Sequence, residues 1–281
     1  MPYHTLISLE ELFDNLNTPK WVIVDCRFDL EDTEKGQQLY LDYHVPGAVY
    51  AHLNDDLSGP IIPGKTGRHP LPDIDKITST LSNWGIDETI QVIAYDDRSG
   101  AIAARLWWML RWLGHDSVAA LDGCFSHWVQ AGYPTRSGLE ENTPSKFIPQ
   151  IKSGLMVDVE DVMAIRNKPG FLLIDSRSPE RYQGINEPID PVAGHIPGAI
   201  NLFFGDNLTE DGHFKNKNEL RARFDKILKG YSPENIIFYC GSGVTTIHNI
   251  LTLVHIGFGD TLLYPGSWSE WITDPSRPIE I

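Results

Sequence analysis

The feature that most constrains the fold of this chain is that its second half repeats its first. Three kinds of segment recur in the same order, roughly 145 residues apart. They are an apolar run ending in Asp-x-Arg, a His-x-Pro-Gly-Ala motif, and a Gly-x-x-x-x-Trp motif. The pairs are 21–27 with 171–177, 43–49 with 194–200, and 117–128 with 260–271. The sequence therefore predicts two copies of one fold.

Each half alternates short apolar runs with helical patterns. The runs 22–25, 91–95 and 118–121 predict buried parallel strands in the first half, as do 172–174, 236–239 and 262–264 in the second. Helices are predicted at 101–113 and 245–256, each followed by a glycine. We expect an α/β fold of two tandem domains, each a mainly parallel sheet flanked by helices.

The domain boundaries follow from a polar stretch rich in proline and glycine between the two halves. Such composition is typical of an extended linker. We expect a first domain at residues 1–136, a linker at 137–152 and a second domain at 153–281.

Charge and cysteine content narrow the partners and the compartment. The net charge of −15 argues against nucleic acid and against an anionic membrane surface as partners. The three cysteines form no CxxC motif, which indicates neither a disulfide framework nor a metal site. No signal peptide or transmembrane run is recognisable. Free thiols fit a reducing compartment, so we expect a cytoplasmic protein.

Cys240 carries the strongest indication of chemistry. It follows the apolar run 236–239 and opens the sequence Cys-Gly-Ser-Gly-Val-Thr before a predicted helix. Backbone N–H groups in such a turn and at a helix N-terminus stabilise negative charge, which favours a thiolate. A strand, a cysteine, a glycine-rich turn and a helix in this order are typical of a nucleophilic thiol.

This loop resembles the active-site loop of the rhodanese-like sulfurtransferases, and within that family the loop of the 3-mercaptopyruvate sulfurtransferases. The paired His-x-Pro-Gly-Ala and Gly-x-x-x-x-Trp motifs extend the resemblance over nearly the whole chain. It implies that Cys240 takes a sulfur atom from 3-mercaptopyruvate, holds it as a persulfide, and passes it to cyanide, a thiol or a thioredoxin-like protein. No metal, flavin or nucleotide cofactor is implied.

The resemblance also indicates which residues bind the small anionic sulfur donor. Arg181 matches the substrate-binding arginine of the family, and a guanidinium group suits a carboxylate. The alternative is a surface helix arginine paired with Glu180 or another neighbouring residue. In the loop after the cysteine, N–H groups and two hydroxyls are expected to hold the donor, with helix capping as the alternative for the hydroxyls. The loop residues are Gly241, Ser242, Gly243, Val244 and Thr245.

The chain departs from the family at a second arginine. Mercaptopyruvate enzymes have a Glu-Pro-Arg step whose arginine also contacts the substrate carboxylate, and here the step is Glu187-Pro188-Ile189. Losing one charge-assisted contact costs roughly 1.5–3 kcal/mol. This departure predicts a high KM for 3-mercaptopyruvate, or a preference for another donor.

His69 matches a histidine of the family that is proposed to act in a Cys–His–Asp relay with a serine. The family's aspartate falls at Asn54, with Asp55 beside it, so the relay is incomplete or shifted by one residue. The alternative is a loop histidine packed on prolines. His44 and His195 lie in the repeated motif of both halves, and we expect them to be structural.

The two halves differ at the reactive position. Tyr239-Cys240 is matched in the first half by Tyr95-Asp96. An aspartate cannot carry a transferable sulfur atom, so we expect the first domain to be catalytically silent. Asp96 itself is expected to act as a loop or cap residue.

The sequence also bears on three other functions. The first is a thiosulfate:cyanide sulfurtransferase. It is disfavoured because such relatives usually have Cys-Arg-Lys-Gly-Val-Thr in the loop of the reactive cysteine. The absence of the Glu-Pro-Arg step partly favours it. A cysteine phosphatase requires Cys-x5-Arg, and Thr246 stands at the arginine position. A non-catalytic sulfur carrier or interaction module is disfavoured by the complete loop around Cys240.

Overall fold

The computed structural model describes residues 2–281, which fold as two compact units. The first unit contains the chain up to Gly59, Pro72–Lys152 and Thr209–Phe214. The second unit contains Pro60–Leu71, Ser153–Leu208 and Lys215–Ile281. Each unit thus includes a short segment from the other half of the sequence. The boundaries expected at 136/137 and 152/153 stay a prediction.

The first unit is built on one parallel sheet. Its strands are β1 (Leu6–Ile7), β2 (Trp21–Asp25), β3 (Val49–Tyr50), β4 (Gln91–Tyr95) and β5 (Val118–Leu121). They lie in the order β1-β5-β4-β2-β3. The helices are α1 (Leu9–Asp14), α2 (Lys35–Asp42), α3 (Ile74–Asn83), α4 (Ala103–Trp112) and α5 (Phe125–Gln130).

The second unit repeats this plan. Its strands are β6 (Leu172–Asp175), β7 (Ile200–Asn201), β8 (Ile236–Tyr239) and β9 (Leu262–Leu263), in the parallel order β7-β6-β8-β9. Its helices are α6 (Val159–Ile165), α7 (Pro179–Tyr182), α8 (Lys217–Leu228), α9 (Ile247–His255) and α10 (Ser267–Trp271). The predicted α/β class with two mainly parallel sheets is confirmed.

The cores explain why the strands read as continuous apolar runs. Helices cover both faces of a parallel sheet, so every residue of a central strand is buried. All five residues of β4 and all four of β8 are buried. Helix α4 is buried along almost its whole length, and its Trp107 is fully buried.

The repeated motifs make the same contacts in both units. Arg27 pairs with Asp25 at 2.7 Å, and Arg177 pairs with Asp175 at 2.6 Å. These pairs are buried at the carboxyl ends of β2 and β6. They tie the chain directly after each strand to the strand end, which fixes where the following loops begin.

The histidines of the repeated motif are structural, as predicted. Nδ1 of His44 lies 2.7 Å from the carbonyl oxygen of Tyr40, and its ring stacks on the Tyr40 ring. Nδ1 of His195 lies 2.8 Å from the carbonyl oxygen of Tyr182 and stacks on that ring. Each histidine therefore fastens its turn to the preceding helix.

The ends of several elements differ from the predicted ones. The helix expected at 101–113 is Ala103–Trp112, and the one expected at 245–256 is Ile247–His255. The strand expected at 262–264 ends at Leu263. Both helices begin late because the chain after the preceding strand first forms a loop. Within residues 2–281, no helix has both the length and the apolar character that crossing a membrane requires.

Candidate active site

Cys240 lies directly after β8, at the carboxyl end of the second sheet, where parallel α/β sheets place their ligands. Its side chain is almost fully buried. The backbone N–H of Cys240 donates to Oγ of Ser267 (3.2 Å), and its carbonyl oxygen accepts from the N–H of Trp268 (3.0 Å). The turn that starts α10 therefore fixes the backbone at the cysteine. We call residues 240–246 the Cys240 loop.

Gly243 gives this loop its shape. Its φ of +72° lies in the left-handed region, which favours glycine. A Cβ at this position would also run into the backbone of Pro265. The glycine is therefore required by conformation and by space.

The hydroxyls of the loop do not cap helix α9. Oγ of Ser242 lies 2.8 Å from Nδ1 of His69, and both side chains are buried. Oγ1 of Thr246, the residue that precedes α9, lies 2.6 Å from Oγ of Ser176. Val244 is buried, and Thr245 is half-buried. The capping alternative for Ser242 is wrong, because its hydroxyl is engaged by the histidine.

The loop also presents backbone donors. Within residues 2–281, the N–H groups of Ser242, Val244 and Thr245 have no hydrogen-bond acceptor. Buried N–H groups are nearly always paired, so free ones beside a buried thiol indicate a place for an anion.

The matching loop of the first unit shows what these donors do when a carboxylate is present. The carboxylate of Asp96 accepts hydrogen bonds of 2.7–2.9 Å from four backbone N–H groups. The donors belong to Arg98, Gly100, Ile102 and Ala103. Asp96 is a loop cap, as predicted. The loop after β4 therefore forms a cradle, by which we mean a set of backbone N–H groups that surround a negative charge.

Arg181 lies beside the Cys240 loop. A Cβ built on Gly241 would be 3.3 Å from its Nη2. Its Nε donates to Glu187 at 2.9 Å, and its Nη2 donates to Asp190 at 3.0 Å. Arg181 is partly buried and is paired with these two carboxylates, six and nine residues further along the chain, rather than with Glu180.

His69 belongs to the second unit, through the segment Pro60–Leu71. Its contact with Ser242 supports the histidine–serine half of the expected relay. The carboxylate half is not supported by Asp55, which lies 3.2 Å from the ring of His52.

Arg68 is the residue that sequence reasoning missed. Its Nη2 would lie 3.0 Å from a Cβ on Gly241, and its Nη1 pairs with Asp190. The only sequence signal was its position next to His69. Arg68 and Ile189 also line one cavity of about 260 Å³, together with Asp190 and Ser269.

The other two thiols have different surroundings. Cys26 is fully buried, and burial raises the pKa of its thiol well above the ordinary value. Burial also raises the pKa of Cys124, whose Sγ lies 3.1 Å from Oγ of Ser99. Both are therefore held as protonated thiols. All three cysteines are free within residues 2–281.

Comparison with known proteins shows the family of this chain. The family model described as a rhodanese-like domain matches residues 8–131 and 158–274. A Pseudomonas aeruginosa protein named "Probable 3-mercaptopyruvate sulfurtransferase" is 45% identical, over 98% of this chain and 97% of its own length. The thiosulfate sulfurtransferase of Rattus norvegicus is 32% identical over 96% of this chain and 92% of its own length.

Solved structures give the same answer. The structure of 3-mercaptopyruvate sulfurtransferase from Leishmania major matches with a TM-score of 0.84 and 30% identity. The match covers 96% of this chain and 75% of that one. The family and the fold expected from the motifs are thus confirmed. With a rhodanese-like domain in each half and full-length relatives that move sulfur, this chain belongs to the tandem-domain rhodanese-like sulfurtransferases.

Proposed function

We propose that Cys240 is the nucleophile of this sulfurtransferase and that 3-mercaptopyruvate is its donor. The observation that carries the proposal is the set of groups around one loop. In the part of the chain that the structure describes, the loop that begins at Cys240 has unpaired N–H groups and a serine paired with a histidine, and its Gly241 lies beside two guanidinium groups. Burial raises the pKa of the other two thiols.

The chemistry begins with attack of the Cys240 thiolate on the sulfur of 3-mercaptopyruvate. An S–S bond forms and the C–S bond breaks, so the carbon leaves with the electron pair as the enolate of pyruvate. That carbon takes the proton of the donor thiol. The products are pyruvate and a Cys240 persulfide anion, which the N–H groups of the loop stabilise.

The second half-reaction returns the enzyme to its starting state. An acceptor attacks the outer sulfur of the persulfide, the S–S bond breaks, and its electron pair returns to Sγ of Cys240. Cyanide gives thiocyanate, and a thiolate gives a new persulfide. We propose small thiols and thioredoxin-like proteins as further acceptors. No cofactor enters either step.

His69 and Ser242 are proposed to move the proton between the donor thiol and the enolate carbon. Their 2.8 Å contact provides a short path for it. The first unit is proposed to be catalytically silent, because Asp96 fills the cradle that the Cys240 loop leaves open. We propose the cytoplasm as its location, because free cysteines are typical of a reducing compartment.

Thiosulfate is the second candidate donor. The observation that favours it is Ile189, which stands where the resemblance expects a carboxylate-binding arginine. The loop sequence Cys-Gly-Ser-Gly-Val-Thr favours 3-mercaptopyruvate over it.

The test is a comparison of kcat/KM for the two donors, with cyanide as acceptor. We expect 3-mercaptopyruvate to be preferred by about a hundredfold or more. Cys240→Ser should be inactive because serine cannot form a persulfide. Cys124→Ser is the matched control and should keep its activity.

Mass spectrometry after addition of donor alone gives a second readout. One added sulfur atom is expected on the peptide that contains Cys240. Preference for thiosulfate would replace the donor assignment. Activity in Cys240→Ser, or its loss in Cys124→Ser, would move the nucleophile to another thiol.

A further inference from the structure

We infer that Arg68 is a second donor-binding arginine, which acts with Arg181 to hold the carboxylate of the sulfur donor against the Cys240 loop. This inference deepens the proposed function and rests on it for the identity of the reaction. It assigns to Arg68 the binding of the donor carboxylate, which the family resemblance expects of an arginine at position 189.

The first argument is position. A Cβ built on Gly241 would lie 3.0 Å from Nη2 of Arg68, and 3.3 and 3.5 Å from Nη2 and Nη1 of Arg181. The guanidinium groups of Arg68 and Arg181, which come from different segments, therefore both lie beside the Cα of Gly241, the residue that follows Cys240. Because Gly241 has no side chain, a donor can occupy the space between them.

The second argument is that both groups keep unused donors. Arg68 uses Nη1 for Asp190, and Arg181 uses Nε and Nη2 for Glu187 and Asp190. Within residues 2–281, Nη2 of Arg68 and Nη1 of Arg181 donate to no protein acceptor. Nε of Arg68 is buried without a partner as well. A buried donor left unpaired costs free energy, and a carboxylate would remove that cost.

The third argument is that the pair is held in place before a donor arrives. Asp190 is almost fully buried and bridges the two guanidinium groups, one on each carboxylate oxygen. Burial raises the pKa of Asp190, while the two arginines oppose that shift. The charges of Arg68 and Arg181 are balanced by those of Glu187 and Asp190. The donor anion is therefore recognised by the fixed geometry of the two guanidinium groups and by their free N–H donors.

The fourth argument is that Arg68 is fastened to the loop itself. Its backbone N–H donates to Oγ of Ser269 (3.0 Å), and the N–H of Ser269 donates to the carbonyl oxygen of Gly241 (2.8 Å). One serine thus joins Arg68 to the residue after Cys240. Ile189 and Arg68 line one cavity together with Ser269, so Arg68 lies near the position at which the resemblance expects an arginine.

The decisive experiment measures binding of 3-mercaptopyruvate by calorimetry to Cys240→Ser, which binds without turnover. Adding Arg68→Gln should weaken the affinity by about tenfold to a hundredfold, the value of one charge-assisted contact. Arg68→Lys, which keeps the charge and the partner of Asp190, should fall between the two. Arg98→Gln is the matched control, an exposed arginine of the first unit, and should leave binding unchanged.

Kinetics give a readout that a merely structural role would not move. In the otherwise native enzyme, Arg68→Gln should raise KM for 3-mercaptopyruvate by a similar factor and leave kcat within about threefold. Inhibition by pyruvate should weaken in parallel, whereas inhibition by its uncharged methyl ester should not change.

The outcomes separate the two proposals. Equal affinity in Cys240→Ser with and without Arg68→Gln overturns the inference, as does the absence of any binding to Cys240→Ser. If the native enzyme turns over neither donor while the contrast in binding persists, the proposed function fails and the binding role of Arg68 stands.

Discussion

Asp96 holds, in the first unit, the position that Cys240 holds in the second. One carboxylate there satisfies four backbone N–H groups at once. A thiol in the same kind of loop leaves N–H groups unpaired until a charged sulfur or donor arrives. A single residue therefore decides whether this loop is closed or open to an anion.

Replacing Asp96 with alanine should destabilise the first unit by about 3 kcal/mol, because four buried N–H groups lose their acceptor. Urea unfolding measures this, and Asp96→Asn should lose less because one acceptor oxygen remains. Asp97→Ala is the matched control, since the exposed Asp97 accepts one hydrogen bond from Ser126. A change below about 0.5 kcal/mol for Asp96→Ala would contradict the role of the carboxylate as a cap.

At the scale of elements, the loop between β8 and α9 is shaped by one backbone position. Gly243 has a φ of +72°, and its Cα faces the backbone of Pro265. Helix α9 can begin at Ile247 only after this turn, which explains why the predicted start at 245 was too early. The seven residues between the strand and the helix carry the groups of the candidate site.

Gly243→Ala should therefore lower kcat/KM by about tenfold to a hundredfold, because the loop must move to accommodate the Cβ. The comparison is Gly257→Ala. Gly257 has a similar φ of +81° but no neighbouring atom within 4 Å of its Cβ position. That variant should lose about 1 kcal/mol of stability and keep its kinetics. Equal losses of kcat/KM in the two variants would contradict this prediction. They would show that the strain of a positive φ, rather than the close approach to Pro265, lowers the activity.

At the scale of the whole molecule, the repeat is not a simple tandem of independent halves. The segment Pro60–Leu71, which lies in the first half of the sequence, folds into the second unit and brings Arg68 and His69 to the Cys240 loop. In return, Thr209–Phe214 folds into the first unit, where the N–H of Phe214 donates to Asp122 at 2.8 Å. The first half of the sequence thus supplies side chains to the candidate site around Cys240.

This exchange predicts that packing of the segment controls donor binding. A Cβ on Gly67 would lie 2.5 Å from the carbonyl oxygen of Gly266 and 2.7 Å from Oγ of Ser269. Gly67→Ala should displace Arg68 and His69 and raise KM for the donor at least tenfold. Gly64→Ala, in the same segment with nothing within 4 Å of its Cβ position, should change KM less than twofold. Steady-state kinetics would contradict the prediction if the two variants behaved alike.

The sequence by itself determined the repeat, the α/β class, the central strands and the position of Cys240. These follow from local patterns, since buried parallel strands require continuous apolar runs and the loop motif is contiguous in the chain. Only the tertiary structure decided that Arg181 turns to Glu187 and Asp190. It also decided that Ser242 meets His69 and that Arg68 reaches Gly241. The contacts of Ser242 with His69 and of Arg68 with Gly241 join residues more than 100 positions apart, and no local pattern encodes which distant side chains a fold brings together.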